Sequence, residues 1–245
     1  MLAGVLVAAV WLVYVVALRE PPHVEGDAAA PTAITPFRSL KEALTAQGGL
    51  ALRFFGACLF FHMAFQSFSS WFTLHGSERF HVSIGDVSLG FIAVAVSTLV
   101  GSMPAGWLGA RYGRRRMSLV GLVGMALACA ALHVVPTLTA AIAVLFVFGL
   151  SWSIPVANLP PMALELGTTA RAGALAGAFL LIQSLAGVLG PALVGEWFDV
   201  TGSRRALSVL LAAFLAGAIA LLASLERGFG EASDASEAEV EAGRR

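Results

Sequence analysis

Apolar runs long enough to cross a lipid bilayer constrain this chain more than any other feature. About 20 consecutive apolar residues form a helix that spans the hydrocarbon core. Seven such runs lie near residues 1–18, 50–73, 86–108, 117–135, 138–162, 172–197 and 206–225. Hydrophobic residues make up 58 % of the 245 and the mean hydropathy is +0.84, which is more apolar side chain than a soluble core can bury. The sequence therefore predicts an all-α polytopic membrane protein that contacts the lipid bilayer.

Charge and cysteine content narrow the class further. The 15 Lys and Arg residues are balanced by 15 Asp and Glu residues, so the basic excess typical of nucleic-acid binding is missing. Cys58 and Cys129 both lie inside apolar runs, where a small buried side chain is the usual interpretation. We therefore predict no nucleic-acid partner, no metal site and no cofactor.

The remaining segments differ in composition from the apolar runs. Residues 1–18 lack the basic start and the cleavage site of a signal peptide, which favours a transmembrane helix. Residues 19–49 are predicted to be a cytoplasmic linker that contains an amphipathic helix. Residues 50–227 would form the transmembrane bundle, and the acidic residues 228–245 a disordered cytoplasmic tail.

The positive charges predict the orientation in the membrane. One set of alternating loops holds twelve of the 15 Lys and Arg residues, and the other holds only Arg79, Arg204 and Arg205. Loops rich in Lys and Arg usually lie in the cytoplasm. We therefore expect a multi-pass protein of the cell (inner) membrane with a cytoplasmic C-terminus.

Two segments of the chain match at an offset of 89 residues. The matched residues are Gly101, Gly106, Gly113, Arg115 and Arg116 in the first copy, and Gly190, Gly195, Gly202, Arg204 and Arg205 in the second. The copies lie three helices apart and so cross the membrane in opposite directions. This arrangement is typical of the 3+3 inverted repeats of secondary transporters.

The turn at residues 106–116 carries a family resemblance. Its residues Gly106, Arg111, Gly113, Arg114 and Arg115 resemble the loop signature G-x-x-x-D-R-x-G-R-R of the major facilitator superfamily. The resemblance covers the second to seventh runs and implies the six-helix C-terminal bundle of a carrier. Residues 1–18 would then be the last helix of an N-terminal half, and the five matching residues a gating loop.

The signature loop departs from the family pattern at one position. Its acidic position is occupied by Ala110, so the carboxylate–arginine latch attributed to the family cannot form within this loop. A topology signal combined with contact to lipid headgroups is the alternative role for these arginines.

A polar stripe runs along the second apolar run. His62, Gln66, Ser69 and Thr73 follow the spacing of one helical face. Polar side chains are costly in lipid and usually face a cavity or a neighbouring helix. We expect a solute-filled cavity, with hydrogen bonds between helices as the alternative.

The fifth apolar run is the most irregular. Pro155, Pro160 and Pro161 predict a kinked or broken helix, a feature that marks binding sites in transporters; a kink needed only for packing is the alternative. The resemblance implies that this helix and the second one line the central cavity. The predicted substrate-binding residues are His62, Gln66, Ser69, Thr73, Trp152 and Asn158.

Two ionisable residues are candidates for proton coupling. His62 lies near the middle of its run, and imidazole has a reference pKa of about 6.5. Glu165 lies at the end of the fifth run, where a simple interfacial charge is the alternative. Asp86 opens the third run and is expected to be its N-cap residue.

The resemblance implies a secondary active transporter of a small-molecule substrate that works by alternating access. Its partner would be the N-terminal half of the carrier or a second copy. Residues 71–76 and 158–162 show a faint likeness to the sugar-cation symporter branch. This likeness makes a sugar the preferred substrate and proton symport the preferred mechanism. A non-transporting accessory or scaffold subunit is the alternative. An enzyme is not expected, because the sequence has no G-x-S-x-G elbow.

Overall fold

A computed structural model describes residues 49–167, 172–202 and 206–225, which belong to one compact unit. Every regular element of these residues is a helix. They are α1 (Leu50–Phe80), α2 (Ile84–Tyr112), α3 (Arg114–Val134), α4 (Leu138–Glu165), α5 (Ala172–Thr201) and α6 (Leu207–Ala223). Helices α1 to α5 are each long and apolar enough to cross a membrane, whereas α6 has 17 residues and is about 25 Å long. The predicted first span, linker and acidic tail lie outside the described residues.

The junction between α1 and α2 corrects one prediction. Ser83, not Asp86, is the N-cap residue of α2, because its hydroxyl accepts the Asp86 amide proton over 3.2 Å. The same hydroxyl donates to the Asp86 carboxylate over 2.7 Å. Asp86 therefore lies in the first turn, where a negative charge interacts favourably with the helix dipole.

Helix α4 is continuous, so of the predicted kink or break the break is wrong. It runs through Pro155, Pro160 and Pro161, each of which removes one backbone donor. Packing against α3 supports the helix at the first proline, since a Cβ on Gly121 would lie 2.5 Å from Cδ of Pro155 and 2.7 Å from the Ser151 carbonyl oxygen. A neighbouring backbone this close holds the helical path although one intrahelical bond is lost.

The helices pack in a pattern that links the first three to the last three. Helix α1 packs mainly on α5 and α6, helix α4 mainly on α2 and α3, and α3 also packs on α6. If α1, α2 and α3 exchange places with α4, α5 and α6, respectively, the same set of packed pairs results. Helices α1 and α4 consequently occupy equivalent places in the bundle.

Aromatic side chains fill the core of the bundle. Phe54, Phe55, Phe61, Phe68 and Phe148 are all fully buried. Phe68 contacts Phe148 of α4 with ring centroids 4.8 Å apart, and edge or offset aromatic contacts of this kind each contribute about 0.5–1.5 kcal/mol. This core fixes α1 against α4 and so positions the residues of the candidate site.

Candidate functional site

Aromatic rings from three helices meet around His62. The aromatic cluster consists of Phe61, His62 and Phe65 of α1, Trp152 of α4 and Phe179 of α5. Trp152 stacks on Phe65 with centroids 3.7 Å apart and on Phe61 with centroids 4.5 Å apart. The His62 ring lies edge-on to Phe179 at 5.6 Å and to Trp152 at 6.2 Å. Two of the predicted site residues, His62 and Trp152, are therefore brought together.

One backbone contact sets the chemistry of His62. Its side chain is buried, and Nδ1 lies 2.8 Å from the Cys58 carbonyl oxygen. A carbonyl oxygen only accepts hydrogen bonds, so Nδ1 carries the proton in this contact. In the neutral ring Nε2 is then the acceptor, and protonation would turn it into a second donor.

The other residues of the polar stripe lie beside the cluster. Gln66 packs against α5, since a Cβ on Gly187 would lie 2.9 Å from its amide nitrogen. Ser69 and Thr73 are half-buried further along the same face of α1. Together with the contact between His62 and Phe179, this places the polar stripe toward α5.

Asn158 lies apart from the aromatic cluster. It is 1 % exposed, and its amide nitrogen donates to the Ala105 carbonyl of α2 over 3.1 Å and to the Ile154 carbonyl over 2.8 Å. Gly109 lies directly against the same amide group. The structure thus places this predicted substrate residue between α4 and α2.

The signature loop forms a single-residue junction between α2 and α3. Gly113 adopts φ +92°, a conformation that L side chains rarely reach. A side chain at Gly106 would meet no atom within 4 Å, so the packing of the described residues does not require that glycine. The Arg111 guanidinium lies over the rings of Trp107 and Tyr112, at 5.3 and 5.6 Å from their centroids.

The next two arginines connect α3 to other helices. Nε of Arg114 lies 3.4 Å from a carboxylate oxygen of Glu165 at the end of α4. Arg115 donates to the carbonyls of Leu222 and Ala223 over 3.0 and 2.7 Å. These carbonyls end α6, where a cation also interacts favourably with the helix dipole. Helices α4 and α6 therefore end beside the junction at Gly113, at what we call the loop end of the bundle.

A comparison with protein families decides what kind of protein this is. A model of the Major Facilitator Superfamily matches residues 1–191. The chain belongs to the major facilitator superfamily. Members of that family are transporters, so the apolar helices are those of an integral, multi-pass membrane transporter. No curated protein matches the chain closely enough to add a relative.

In this superfamily member a carboxylate outside the signature loop pairs with one of the loop's arginines. Ala110 replaces its acidic residue, and no carboxylate of the loop faces the arginines. Arg114 instead pairs with Glu165, which α4 brings to the loop end. An arginine–carboxylate contact therefore exists at this position, between α3 and α4 rather than within the loop.

Sequence reasoning missed the phenylalanine residues of this candidate site. The polar residues of α1 attract attention because they are costly in lipid, whereas phenylalanine in an apolar run does not. A signal is nevertheless present, because Phe61, Phe65, Phe68 and Phe72 repeat the spacing of the polar stripe one residue earlier. Phe65 and Phe68 of this second stripe contact α4.

In the described parts of the chain no three His, Cys, Asp or Glu side chains come together as metal ligands would. The aromatic cluster and the polar stripe offer stacking surfaces and hydrogen bonds, which suit the binding of a small molecule.

Proposed function

We propose that this superfamily member is a secondary active carrier of a small uncharged solute, preferentially a sugar, that works by alternating access with proton symport. The observation that carries the proposal is the aromatic cluster, which joins His62 to Trp152 where α1, α4 and α5 meet. It combines a titratable ring with stacking surfaces between helices that cross the membrane.

The side chains around the cluster favour an uncharged ring as substrate. Trp152 and Phe65 stack on each other here, and their faces would meet the apolar C–H surface of a sugar when α1 and α4 separate, while Gln66, Ser69 and Thr73 can bond its hydroxyl groups. No Lys, Arg, Asp or Glu takes part in the cluster or the stripe. An anionic substrate would therefore find no counter-charge there. The faint likeness of residues 71–76 and 158–162 to sugar-cation symporters agrees with this choice.

His62 is the residue proposed to carry the coupled proton. It is the ionisable member of the cluster, and protonation of Nε2 would create a donor beside the substrate. Glu165 is the second candidate, because protonation of its carboxyl group would break the ion pair with Arg114 at the loop end. That change would loosen the contact between α3 and α4 and so favour opening there.

The bundle is proposed to be one half of the transport machinery. The exchange pattern of helix packing supports two three-helix units of opposite orientation, as in inverted-repeat carriers. A complete central cavity would then need the N-terminal half of the carrier or a second copy of this bundle. Gly106, Arg111, Gly113, Arg114 and Arg115 would form the gating loop, on the cytoplasmic side.

The test is uptake of labelled neutral sugars, under an imposed proton gradient, by vesicles that carry the complete carrier, that is, this chain together with the N-terminal half. We expect uptake that a protonophore abolishes. His62→Gln should remove the response to the gradient, and His133→Gln is the matched control, because His133 lies outside the cluster and contacts Ser208. Gln66→Ala should raise the half-saturation concentration about three- to tenfold, the loss of one hydrogen bond.

Three outcomes would contradict this proposal in different ways. Uptake that ignores the protonophore would exclude proton symport but leave transport standing. Unchanged kinetics in both His62→Gln and Gln66→Ala would place the substrate elsewhere. Absence of uptake for every sugar tested would exclude the substrate class and favour the accessory-subunit alternative.

A further inference from the structure

Two side chains on the proposed cavity helices donate to the backbone of a neighbouring helix. The amide of Asn158 on α4 bonds the Ala105 carbonyl of α2 over 3.1 Å. The indole N–H of Trp71 on α1 bonds the Pro191 carbonyl of α5 over 3.0 Å. Each bond thus runs from the first helix of one three-helix unit to the second helix of the other.

The two bonds lie at opposite ends of the bundle. Asn158 lies near the end of α4, close to the loop end that Glu165 and Arg114 define. Trp71 lies toward the other end, where Arg79 of α1 donates to the carbonyls of His133 and Val135 at the end of α3. The bundle therefore has one such bond in each half of its length.

A glycine four residues beyond the acceptor accompanies both bonds. Side chains of a helix tilt toward its N-terminus, so the residue at i+4 covers the carbonyl of residue i. That residue is Gly109 for the acceptor Ala105 and Gly195 for the acceptor Pro191. A Cβ on Gly109 would overlap the Asn158 amide, and one on Gly195 would lie 2.9 Å from Cζ2 of Trp71. Both glycines are therefore needed for the donor to reach the backbone.

Proline marks the acceptor in both helices. Ala105 follows Pro104, the proline inside α2, and Pro191 is the proline inside α5. Each proline removes an intrahelical hydrogen bond and makes the helix easier to bend at that point. A side chain anchored there holds the neighbouring helix against the point at which α2 or α5 bends most easily.

We infer that Asn158 and Trp71 are a matched pair of positioning residues that control the opening of the bundle separately at its two ends. Asn158 holds α4 against α2 at the loop end, and Trp71 holds α1 against α5 at the opposite end. The inference rests on the proposed carrier function, in which α1 and α4 line a cavity that opens to one side at a time. Loss of one bond shifts the population toward the state that is open at that end.

This pairing also reassigns Asn158. The sequence predicts that it binds substrate, but its amide bonds two backbone carbonyls and lies against Gly109. Its effect on transport is therefore indirect, through the position of α4. The sequence repeat aligns Gly195 with Gly106, whereas the contacts pair Gly195 with Gly109, one helical turn further along α2.

The test measures the opening of each end without any transport assay. Cys58 and Cys129 are both fully buried, so a single added cysteine reports its own surroundings. Ala105→Cys reports the loop end and Val194→Cys the opposite end, and both positions are 1 % exposed. We call Asn158 and Trp71 the two tethers. The full chain in lipid vesicles is labelled with a maleimide, and the rate of cysteine labelling is compared between chains with and without a substitution of each tether.

We expect a selective change at each end. Asn158→Leu should raise the labelling rate of Ala105→Cys about five- to tenfold, the loss of one hydrogen bond that opposes local opening, and leave Val194→Cys within twofold. Trp71→Phe keeps a ring against Phe198 but removes the donor, so it should give the reverse pattern. A tether substitution that changes the labelling rate equally at both ends, or at neither end, would overturn the inference.

Glycine variants keep the test decisive where a tether variant fails to fold. Gly109→Ala and Gly195→Ala displace the same donors from the acceptor side and should give the same two patterns. Gly173→Ala and Gly177→Ala are the matched controls, because no atom lies within 4 Å of the added carbon. Gly109→Ala should add nothing to Asn158→Ala, which removes the clash; an additive effect would contradict the contact.

The result separates this inference from the proposed function. If labelling changes at one end only but the protein transports no sugar, the role of Asn158 and Trp71 is supported and the proposed sugar substrate is contradicted. If the protein takes up sugar but each substitution changes the labelling rate equally at both ends, the carrier function is supported and the proposed role of Asn158 and Trp71 is contradicted.

Discussion

Helices α1 and α5 show how this protein distributes its apolar residues. The most apolar 18-residue stretch of α1 is 56 % buried, whereas that of α5, which is more hydropathic, is only 22 % buried. In a water-soluble protein the more apolar helix would be the more buried one. For these two helices the order is reversed, because α1 buries polar and aromatic side chains inside the bundle whereas α5 exposes aliphatic side chains on its surface.

The physical reason is that lipid is as apolar as leucine. Helices in a membrane gain little by burying aliphatic side chains and associate through close packing and polar contacts. Helix α1 offers both, through its aromatic stripe and its polar stripe. Helix α5 packs through small residues such as Gly190, where a Cβ would lie 2.7 Å from the Met63 carbonyl oxygen of α1.

The largest expected effect removes an interior ring. Phe68 is fully buried and contacts Phe72, Phe91 and Phe148. We expect Phe68→Ala to lower the free energy of unfolding by about 3–5 kcal/mol, measured by thermal unfolding in detergent. The control is Leu180→Ala on α5, 60 % exposed, with an expected change within about 0.5 kcal/mol. If both substitutions lowered the free energy of unfolding by similar amounts, the contrast between the buried α1 and the exposed α5 would be contradicted.

A charge on the outer surface tests what surrounds it. Leu99 of α2 is 78 % exposed, so arginine there would be harmless in water. At the centre of a membrane helix it costs about 2.5–3.5 kcal/mol of insertion free energy. We expect Leu99→Arg to reduce the inserted fraction strongly in a membrane-insertion assay.

The matched control for that change is Tyr112→Arg, at the end of the same helix and also exposed. The side chain can reach the interface there, so insertion should be nearly unchanged. Full insertion of Leu99→Arg would mean that this surface contacts water.

Much of this architecture follows from hydropathy alone. The second to seventh apolar runs correspond to α1–α6, and the helices mostly extend beyond the runs by a few polar residues, as α1 does to Phe80. The superfamily was also predicted correctly, from the loop at residues 106–116. Apolar length and a short signature are local properties, and local properties can be read from one sequence.

The tertiary contacts could not be read in that way. Three prolines predicted a kinked or broken α4, but the helix is continuous and packs closely on Gly121 of α3. The sequence shows that Asn158 is polar in an apolar run, yet only the packing of α4 on α2 shows which carbonyl it bonds. The partner of Arg114 is likewise a residue of a helix that lies 51 positions further along the chain.

The smallest expected effect lies at the loop end, outside the interior. The side chains of Arg114 and Glu165 are 37 % and 41 % exposed, and exposed ion pairs contribute about 0–1 kcal/mol. A double-mutant cycle with Arg114→Gln and Glu165→Gln should give a coupling energy in that range that falls as salt is added. Arg116→Gln with Glu165→Gln is the control pair. Coupling well above 1 kcal/mol would indicate a buried latch instead.

The most direct test of the inverted distribution uses the tryptophans. Trp107 of α2 and Trp197 of α5 are 58 % and 47 % exposed, whereas Trp152 of α4 is 9 % exposed. Variants that retain one tryptophan each would be placed in bilayers of brominated lipid, which quenches indole fluorescence on contact. We expect strong quenching of Trp107 and Trp197 and weak quenching of Trp152. Equal quenching of Trp152 and Trp107 would contradict the account, because the proposed site would then face the lipid.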